Sequence, residues 1–193
     1  RFLALAWRHG LMPLVCHHLL NSFTELVPAG HLQKVRDDFQ HNSARNLLLI
    51  SELCRVLEEF EELGIAAVPY KGPALALQVY GDLKLRSFVD LDLLVRHGDA
   101  SRAGAVLTAR GYRPHLDLSP VQESLLSRSE CDRVYLREGR NIVLELHWAV
   151  APPYFSVGVT TESVLADCAR VEIGGREVGV PSSEMLLLIL CVN

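Results

Sequence analysis

One stretch of the chain, residues 86–95, reads Arg86-Ser87-Phe88-Val89-Asp90-Leu91-Asp92-Leu93-Leu94-Val95. Apolar residues surround two acids that are two positions apart, a pattern typical of a β-strand with one apolar face. Because successive strand side chains point to opposite faces, Asp90 and Asp92 share one face. The other face carries Val89, Leu91, Leu93 and Val95. We therefore predict a strand over residues 88–95 that presents two carboxylates on the same side.

The two carboxylates of this strand suggest a metal site. Two residues of strand rise separate them by roughly 7 Å, where an effective dielectric of about 20 gives a repulsion of roughly 2 kcal/mol. A divalent cation would remove this penalty. Mg²⁺ prefers carboxylate oxygens, and one or two of them plus substrate phosphates complete its coordination in phosphoryl-transfer sites. The alternative for Asp90 and Asp92 is a strand end whose acids are simply solvated.

Composition restricts the class of protein. The chain has 193 residues, of which 49% are apolar, so it is long and apolar enough for one sizeable core. Its net charge of −4 and the absence of a basic run with interleaved aromatic residues argue against bulk nucleic-acid binding. We expect any nucleotide to be bound locally, by a few residues.

The cysteines and the two ends of the sequence bear on localisation. Five scattered cysteines without a C-x-x-C pair favour reduced thiols and a cytoplasmic protein. The apolar run at residues 2–20 is interrupted by charged residues, histidine, glycine and proline, so we expect no membrane span or signal peptide. The sequence stops within an apolar, helix-like run at residues 182–193. We therefore expect that the natural chain continues further.

The chain divides into a helical part and a mixed part. Residues 1–63 predict an N-terminal helical segment that ends in a long amphipathic helix, with Gly64 as its stop. The apolar face of this helix carries Leu49, Leu53, Val56, Leu57, Phe60 and Leu63, and the remaining faces carry Glu52, Arg55, Glu58, Glu59 and Glu62. Residues 64–193 alternate strand and helix signals, including a hairpin at residues 171–180. The fold class predicted is α/β or α+β, a small mixed sheet flanked by helices.

A second cluster, Lys71-Gly72-Pro73, lies between a predicted strand at residues 65–70 and a predicted helix at residues 73–80. A helix start has free N–H groups and partial positive charge, and can hold a phosphate. Lys71 opposes that dipole unless an anion is bound there. The cluster therefore indicates phosphate binding by Lys71 and Gly72, and the alternative is an exposed lysine on a turn. It lacks the spacing of a Walker phosphate loop.

A third cluster, Val143-Leu144-Glu145-Leu146-His147-Trp148, also alternates like a strand. Glu145 and His147 share one face, so a third carboxylate is available on another strand. A strand histidine is more often a hydrogen-bonded structural residue than a ligand. We regard His147 as a possible accessory residue.

Taken in order, Lys71-Gly72, Arg86-x-x-x-Asp90-x-Asp92, Gly111-Tyr112 and Glu145-x-His147-Trp148 resemble the uncharacterised nucleotidyltransferase family of the polymerase-β-like superfamily. The resemblance covers most of the chain, from about residue 47 onward. It implies a nucleotidyltransferase-like domain over residues 64–193, and Mg²⁺ held by Asp90, Asp92 and Glu145. It also implies a nucleoside triphosphate at the Gly72 turn. The serine that usually follows that glycine is here Pro73, and Lys71 and Arg86 offset this loss by supplying charge.

The function predicted is Mg²⁺-dependent transfer of a nucleoside monophosphate from a triphosphate to an acceptor, with release of pyrophosphate. The sequence does not identify the acceptor, which is a small molecule or a protein. One alternative is a non-catalytic relative that binds a nucleotide or a partner protein, which Pro73 favours. The other is a glycosyltransferase, which also uses Asp-x-Asp but usually needs a larger nucleotide-binding domain.

Overall fold

The computed structural model describes residues 2–155 and 157–192, except for the side chain of Pro120. Its helices are α1 (Phe2–Arg8), α2 (Met12–Asn21), α3 (Ala29–Glu62), α4 (Gly72–Tyr80), α5 (Ala100–Ala109), α6 (Pro120–Ser129), α7 (Thr161–Ala166) and α8 (Ser183–Val192). Its strands are β1 (Ala67–Pro69), β2 (Asp90–Val95), β3 (Arg113–Pro114), β4 (Asp132–Arg137), β5 (Ile142–His147), β6 (Cys168–Ile173) and β7 (Arg176–Pro181).

The first five strands form one mixed sheet in the order β1-β2-β5-β4-β3. Strands β2 and β5 run parallel at its centre, whereas β1 with β2, β4 with β5 and β3 with β4 are antiparallel. Strands β6 and β7 form a separate antiparallel pair that turns at Gly174 and Gly175. The predicted fold class, a small mixed sheet flanked by helices, is confirmed.

Helix α3 packs against the sheet through the apolar face that its periodicity predicts. Leu49, Leu53 and Phe60 are fully buried in one core cluster with Leu91 and Leu144 of the two central strands. The helix stops where the chain turns at Gly64, whose φ of +67° is costly for residues other than glycine. Since this core lies on one face of the sheet, the acidic residues of β2 and β5 are left on the other face.

Helices α1 and α2 lie against the first half of α3 in a smaller cluster. Ala6, Met12, Cys16 and Val35 are buried there. The division of the chain at residue 63 stays a prediction. No helix in the described part of the chain is long and apolar enough to cross a membrane.

Three positions differ from the sequence-based expectation. Leu63, which the periodicity assigns to the apolar face of α3, follows the last residue of this helix and is 51% exposed. Glu52, which the helical periodicity assigns to a polar face, is only 1% exposed. Its Oε1 accepts hydrogen bonds from Arg110 at 3.3 Å and Tyr112 at 3.1 Å, and Arg137 also donates to it. These partners come from other elements, so they satisfy a carboxylate that would be costly to bury alone. Val89, expected on the apolar face, lies before the start of β2 and is 64% exposed.

Candidate active site

The register of β2 on β5 brings the acids together. Asp92 is the partner of Glu145 in this parallel pair, and Leu94 is the partner of His147. Paired residues on neighbouring strands point to the same face. Asp90, the partner of Val143, lies at the first position of β2. The two predicted strands thus contribute Asp92, Glu145 and His147 to one spot on the sheet.

Asp92, Glu145 and His147 form a compact group, which we call the acid–histidine cluster. His147 Nε2 lies 3.5 Å from Asp92 Oδ1 and 3.5 Å from Glu145 Oε2. One side-chain ligand atom from each residue lies within 4.8 Å of the other two. The side chains of Asp92 and His147 are almost fully buried, whereas that of Glu145 is 29% exposed. The cluster therefore reaches solvent on the Glu145 side.

Asp90 and Asp92 differ in their electrostatic surroundings. Burial, followed by the charges of Asp92 and Glu145, raises the pKa of Asp90 above its usual value. Burial would also raise the pKa of Asp92, but the contacts with His147 and Lys71 outweigh it and lower this pKa. The fold therefore favours the ionised form of Asp92 and disfavours that of Asp90. Among the described residues, Asp90 is not a member of the compact group.

His147 lies between acids on both sides. Burial lowers its pKa, but the contacts with Asp92, Cys131 and Glu145 outweigh that effect and raise the pKa to about 10. Within the described part of the chain, neither ring nitrogen makes a hydrogen bond of ordinary geometry. Cys131 and Asp132 of the neighbouring strand form a second close group with the same imidazole. His147 is therefore held by charge and burial rather than by well-formed hydrogen bonds.

Lys71 and Gly72 lie at the turn from β1 into α4. Lys71 Nζ is 3.1 Å from Asp92 Oδ1, so the ammonium forms an ion pair with this carboxylate, and its contact with a phosphate stays a prediction. Gly72 has a φ of +49°, and a Cβ there would lie 3.4 Å from the Asp90 carbonyl oxygen. The turn therefore passes close beside the first residue of β2. Pro73 is the second residue of α4.

The loop that leads into β2 is fixed by a residue that sequence reasoning misses. Asn46 of α3 is 1% exposed, and its Nδ2 donates to the carbonyls of Leu83 at 2.6 Å and Arg86 at 2.8 Å. The one signal in the sequence is that Asn46 lies three residues before Leu49, on the apolar stripe of α3. Arg86 is thus anchored through its backbone, and a contact of its side chain with phosphate stays a prediction.

The donor set of the cluster fits a divalent metal ion. Two carboxylates and one imidazole converge on one side of the sheet, with Asp90 two residues before Asp92 on the same strand. The imidazole is buried between the carboxylates without a well-formed hydrogen bond. Carboxylate oxygens suit Mg²⁺, and an imidazole suits transition metals better. Asp92, Glu145 and His147 are therefore residues that could hold a metal ion.

Comparison with known proteins assigns the chain to a family. The family model described as "Uncharacterised nucleotidyltransferase" matches residues 1–193. The chain belongs to this nucleotidyltransferase family. No curated protein sequence gives a significant match.

Two solved structures resemble this nucleotidyltransferase. One is the lincosamide antibiotic adenylyltransferase LnuA in its lincomycin-bound form, with a TM-score of 0.52 and 15% identity, over 72% of this chain and 83% of that one. The other is ANT(2'')-Ia in complex with adenylyl-2''-tobramycin, with a TM-score of 0.50 and 16% identity, over 72% of this chain and 71% of that one. At such identities the likeness concerns the fold.

Proposed function

We propose that this nucleotidyltransferase moves a nucleoside monophosphate from a nucleoside triphosphate to an acceptor in a Mg²⁺-dependent reaction. One observation carries the proposal: the parallel register of β2 on β5 sets Asp92 opposite Glu145, beside the Gly72 turn. The family match over the full sequence supports the same reaction class. One structural neighbour is an adenylyltransferase and the other is bound to an adenylylated tobramycin, so ATP is the first triphosphate to test.

Asp90, Asp92 and Glu145 would hold the metal in this proposal. Mg²⁺ bound there would neutralise charge on the triphosphate and favour departure of pyrophosphate. The protein's own part is to fix the carboxylates on two adjacent strands, so that little side-chain ordering is needed on binding. The left-handed backbone at Gly72 lets the α4 turn approach β2 closely, and in this proposal the phosphate binds at the free N–H groups of the helix start.

Lys71 changes partner during binding in this proposal. Its ammonium now balances Asp92 at 3.1 Å. A cation held by Asp92 would replace Lys71 as the partner of that carboxylate, and the ammonium would then contact the triphosphate. Arg86 would add a second positive charge there. The acceptor hydroxyl oxygen then forms a bond to the α-phosphorus while the bond to the β-phosphate oxygen breaks. The hydroxyl proton goes to solvent or to a nearby base, and pyrophosphate leaves.

Thermal shift with nucleoside triphosphates tests the proposal without knowledge of the acceptor. A ligand that binds only the folded state raises its melting temperature. We expect at least one triphosphate to do so in the presence of Mg²⁺ and much less in its absence. The Asp92→Asn variant should lose this Mg²⁺-dependent shift, and the exposed Asp117→Asn variant should keep it. A Mg²⁺-dependent shift that survives in Asp92→Asn would contradict the assignment.

A second candidate is a non-catalytic relative that binds a nucleotide or a partner protein. Two observations favour it: Pro73 removes an N–H from the turn, and Lys71 already compensates the Asp92 charge. A protein of this kind would bind its nucleotide equally well with and without Mg²⁺. It would also release no pyrophosphate with any acceptor.

A further inference from the structure

We propose that His147 is a direct metal ligand and that the acid–histidine cluster therefore binds Mn²⁺ or a related transition-metal ion more tightly than Mg²⁺. The inference rests on the metal site of the proposed function and concerns relative affinity, so it is compatible with a reaction that Mg²⁺ supports. Its basis is the position of the imidazole relative to the two carboxylates.

The geometry around His147 Nε2 fits a shared ion better than a hydrogen bond. Nε2 lies 3.5 Å from both Asp92 Oδ1 and Glu145 Oε2. A charge-assisted N–H···O bond would bring these atoms to about 2.7–2.9 Å, which is shorter than either separation. Ligand atoms about 2.1 Å from one ion lie about 3.0 Å apart at octahedral angles and about 3.4 Å apart at tetrahedral angles. The two separations to Nε2 need to shorten only slightly to admit an ion, and the three ligand atoms all lie within 4.8 Å of one another.

Burial strengthens the argument for ligation. His147 is 4% exposed, and neither ring nitrogen has a hydrogen-bond partner of ordinary geometry among the described residues. A buried polar group without such a partner costs free energy, and a metal bond would recover it. An ion between the three residues would displace a proton from the imidazole, and it would then supply a partner to the neutral ring and to both carboxylates at once.

The donor types decide which ion is preferred. Mg²⁺ takes oxygen ligands and rarely accepts imidazole, whereas first-row transition ions accept both. Two carboxylates with one imidazole therefore favour Mn²⁺ and its heavier neighbours. Cys131 and Asp132 form a second close group with the same ring, which adds further transition-metal donors nearby.

Metal binding by the intact chain, without nucleotide, tests the inference. Mn²⁺ and Mg²⁺ affinities are measured by calorimetry, and pulsed electron paramagnetic resonance of bound Mn²⁺ detects a directly coordinated nitrogen. The variant is His147→Gln, which keeps side-chain length and offers an oxygen that Mg²⁺ accepts. The matched control is His115→Ala, a histidine on the far strand edge of the sheet. Circular dichroism melts establish that each variant is folded, and His147→Asn replaces His147→Gln if the latter does not fold.

We expect wild type to bind Mn²⁺ more tightly than Mg²⁺ and to show the nitrogen signal. His147→Gln should lower Mn²⁺ affinity at least about tenfold, since even outer partners of metal ligands contribute that much. It should also lose the nitrogen signal and keep its Mg²⁺ affinity, while His115→Ala matches wild type.

Bound Mn²⁺ without a nitrogen signal, or equal loss of both ions in His147→Gln, would overturn the inference. Neither of these two results would contradict the proposed function. Binding of neither ion by wild type would remove the metal site itself, and the inference with it. A nitrogen-coordinated Mn²⁺ in a protein that binds no triphosphate would support this inference and contradict the transferase.

Discussion

Lys71 Nζ lies 3.1 Å from Asp92 Oδ1, and Lys71 immediately precedes the first residue of α4. The same oxygen is also the one nearest His147. Two cationic groups thus converge on a single buried carboxylate, that of Asp92. The surroundings of Asp90, two residues earlier, disfavour the ionised form of its carboxyl group. Asp90 and Asp92 are equivalent in the sequence pattern and opposite in their electrostatic environment.

Replacement of these two acids should therefore change stability in opposite directions. Asp92→Asn leaves Lys71 and His147 without their shared anion, and should lower the free energy of unfolding by about 3 kcal/mol, the low end for breaking a buried ion pair. Asp90→Asn removes an unfavourable charge and should leave the stability equal or slightly higher. Urea titration of both variants measures this difference. Equal destabilisation of the two would show that their environments are alike.

Lys71→Ala should affect metal and triphosphate in opposite directions. Without the competing ammonium, Asp92 is more available, so divalent-ion affinity should rise. Triphosphate affinity should fall, and nucleoside affinity should change little, because the proposed contact is with phosphate. Calorimetry with each ligand measures these effects, and Lys84→Ala, in the loop before β2, is the control. Parallel losses for triphosphate and nucleoside would indicate a structural role for Lys71.

Comparison of Gly72→Ala with Gly81→Ala should distinguish the cost of backbone strain in stability from a loss of triphosphate binding. Gly72 and Gly81 both have a left-handed φ, +49° and +68°, at the start and end of the same helix. Alanine at either position should cost roughly 1 kcal/mol of stability. Only Gly72→Ala should also weaken triphosphate binding, since only Gly72 lies beside β2. If Gly81→Ala weakens binding as much, the effect reports on helix α4 rather than on the phosphate turn.

Glu145→Gln should abolish turnover while it retains most triphosphate binding. The amide keeps the size of the side chain but removes the negative charge that the metal requires. Turnover is followed as pyrophosphate release once an acceptor is found, and binding is followed by calorimetry. Glu138→Gln, at the exposed turn between β4 and β5, should behave like wild type. Normal turnover in Glu145→Gln would exclude Glu145 as the third carboxylate.

Glu52→Ala should be among the most destabilising single changes outside the site. It leaves Arg110 and Arg137 without the carboxylate that they share, and should cost about 3–5 kcal/mol. Chemical denaturation compares it with Glu58→Ala, which is exposed on the same helix and should cost little. A small effect of Glu52→Ala would mean that the arginines find other partners or solvent.

The strands and their faces can be predicted because they depend on local alternation. The two-residue alternation of side chains along a β-strand is enough to place Asp90 and Asp92 on one face of a strand, and Glu145 and His147 on one face of another. The pairing of Asp92 with Glu145 does not follow in this way, because register between distant strands depends on tertiary packing. Their meeting is implied only by the family resemblance.

The differences from expectation have the same origin. Glu52 has the sequence neighbours of an exposed helical residue, and its partners Arg110, Tyr112 and Arg137 are far away along the chain. Nothing local in the sequence reveals that Lys71 comes within reach of Asp92, and the contact of Lys71 with a phosphate stays a prediction. Local patterns therefore identify the chemical groups, and long-range contacts determine their partners.

The parallel pairing of β2 with β5 has a consequence for biosynthesis. Parallel neighbours need a long crossover, and here β3 and β4 are both made between them. Asp92 leaves the ribosome well before Glu145 and His147, so no nascent fragment that ends before β5 can possess the complete acid–histidine cluster. During synthesis, this chain could therefore bind a metal ion at the cluster only after β5 has joined the sheet. The ion could not act as a template for the earlier steps of folding on the ribosome.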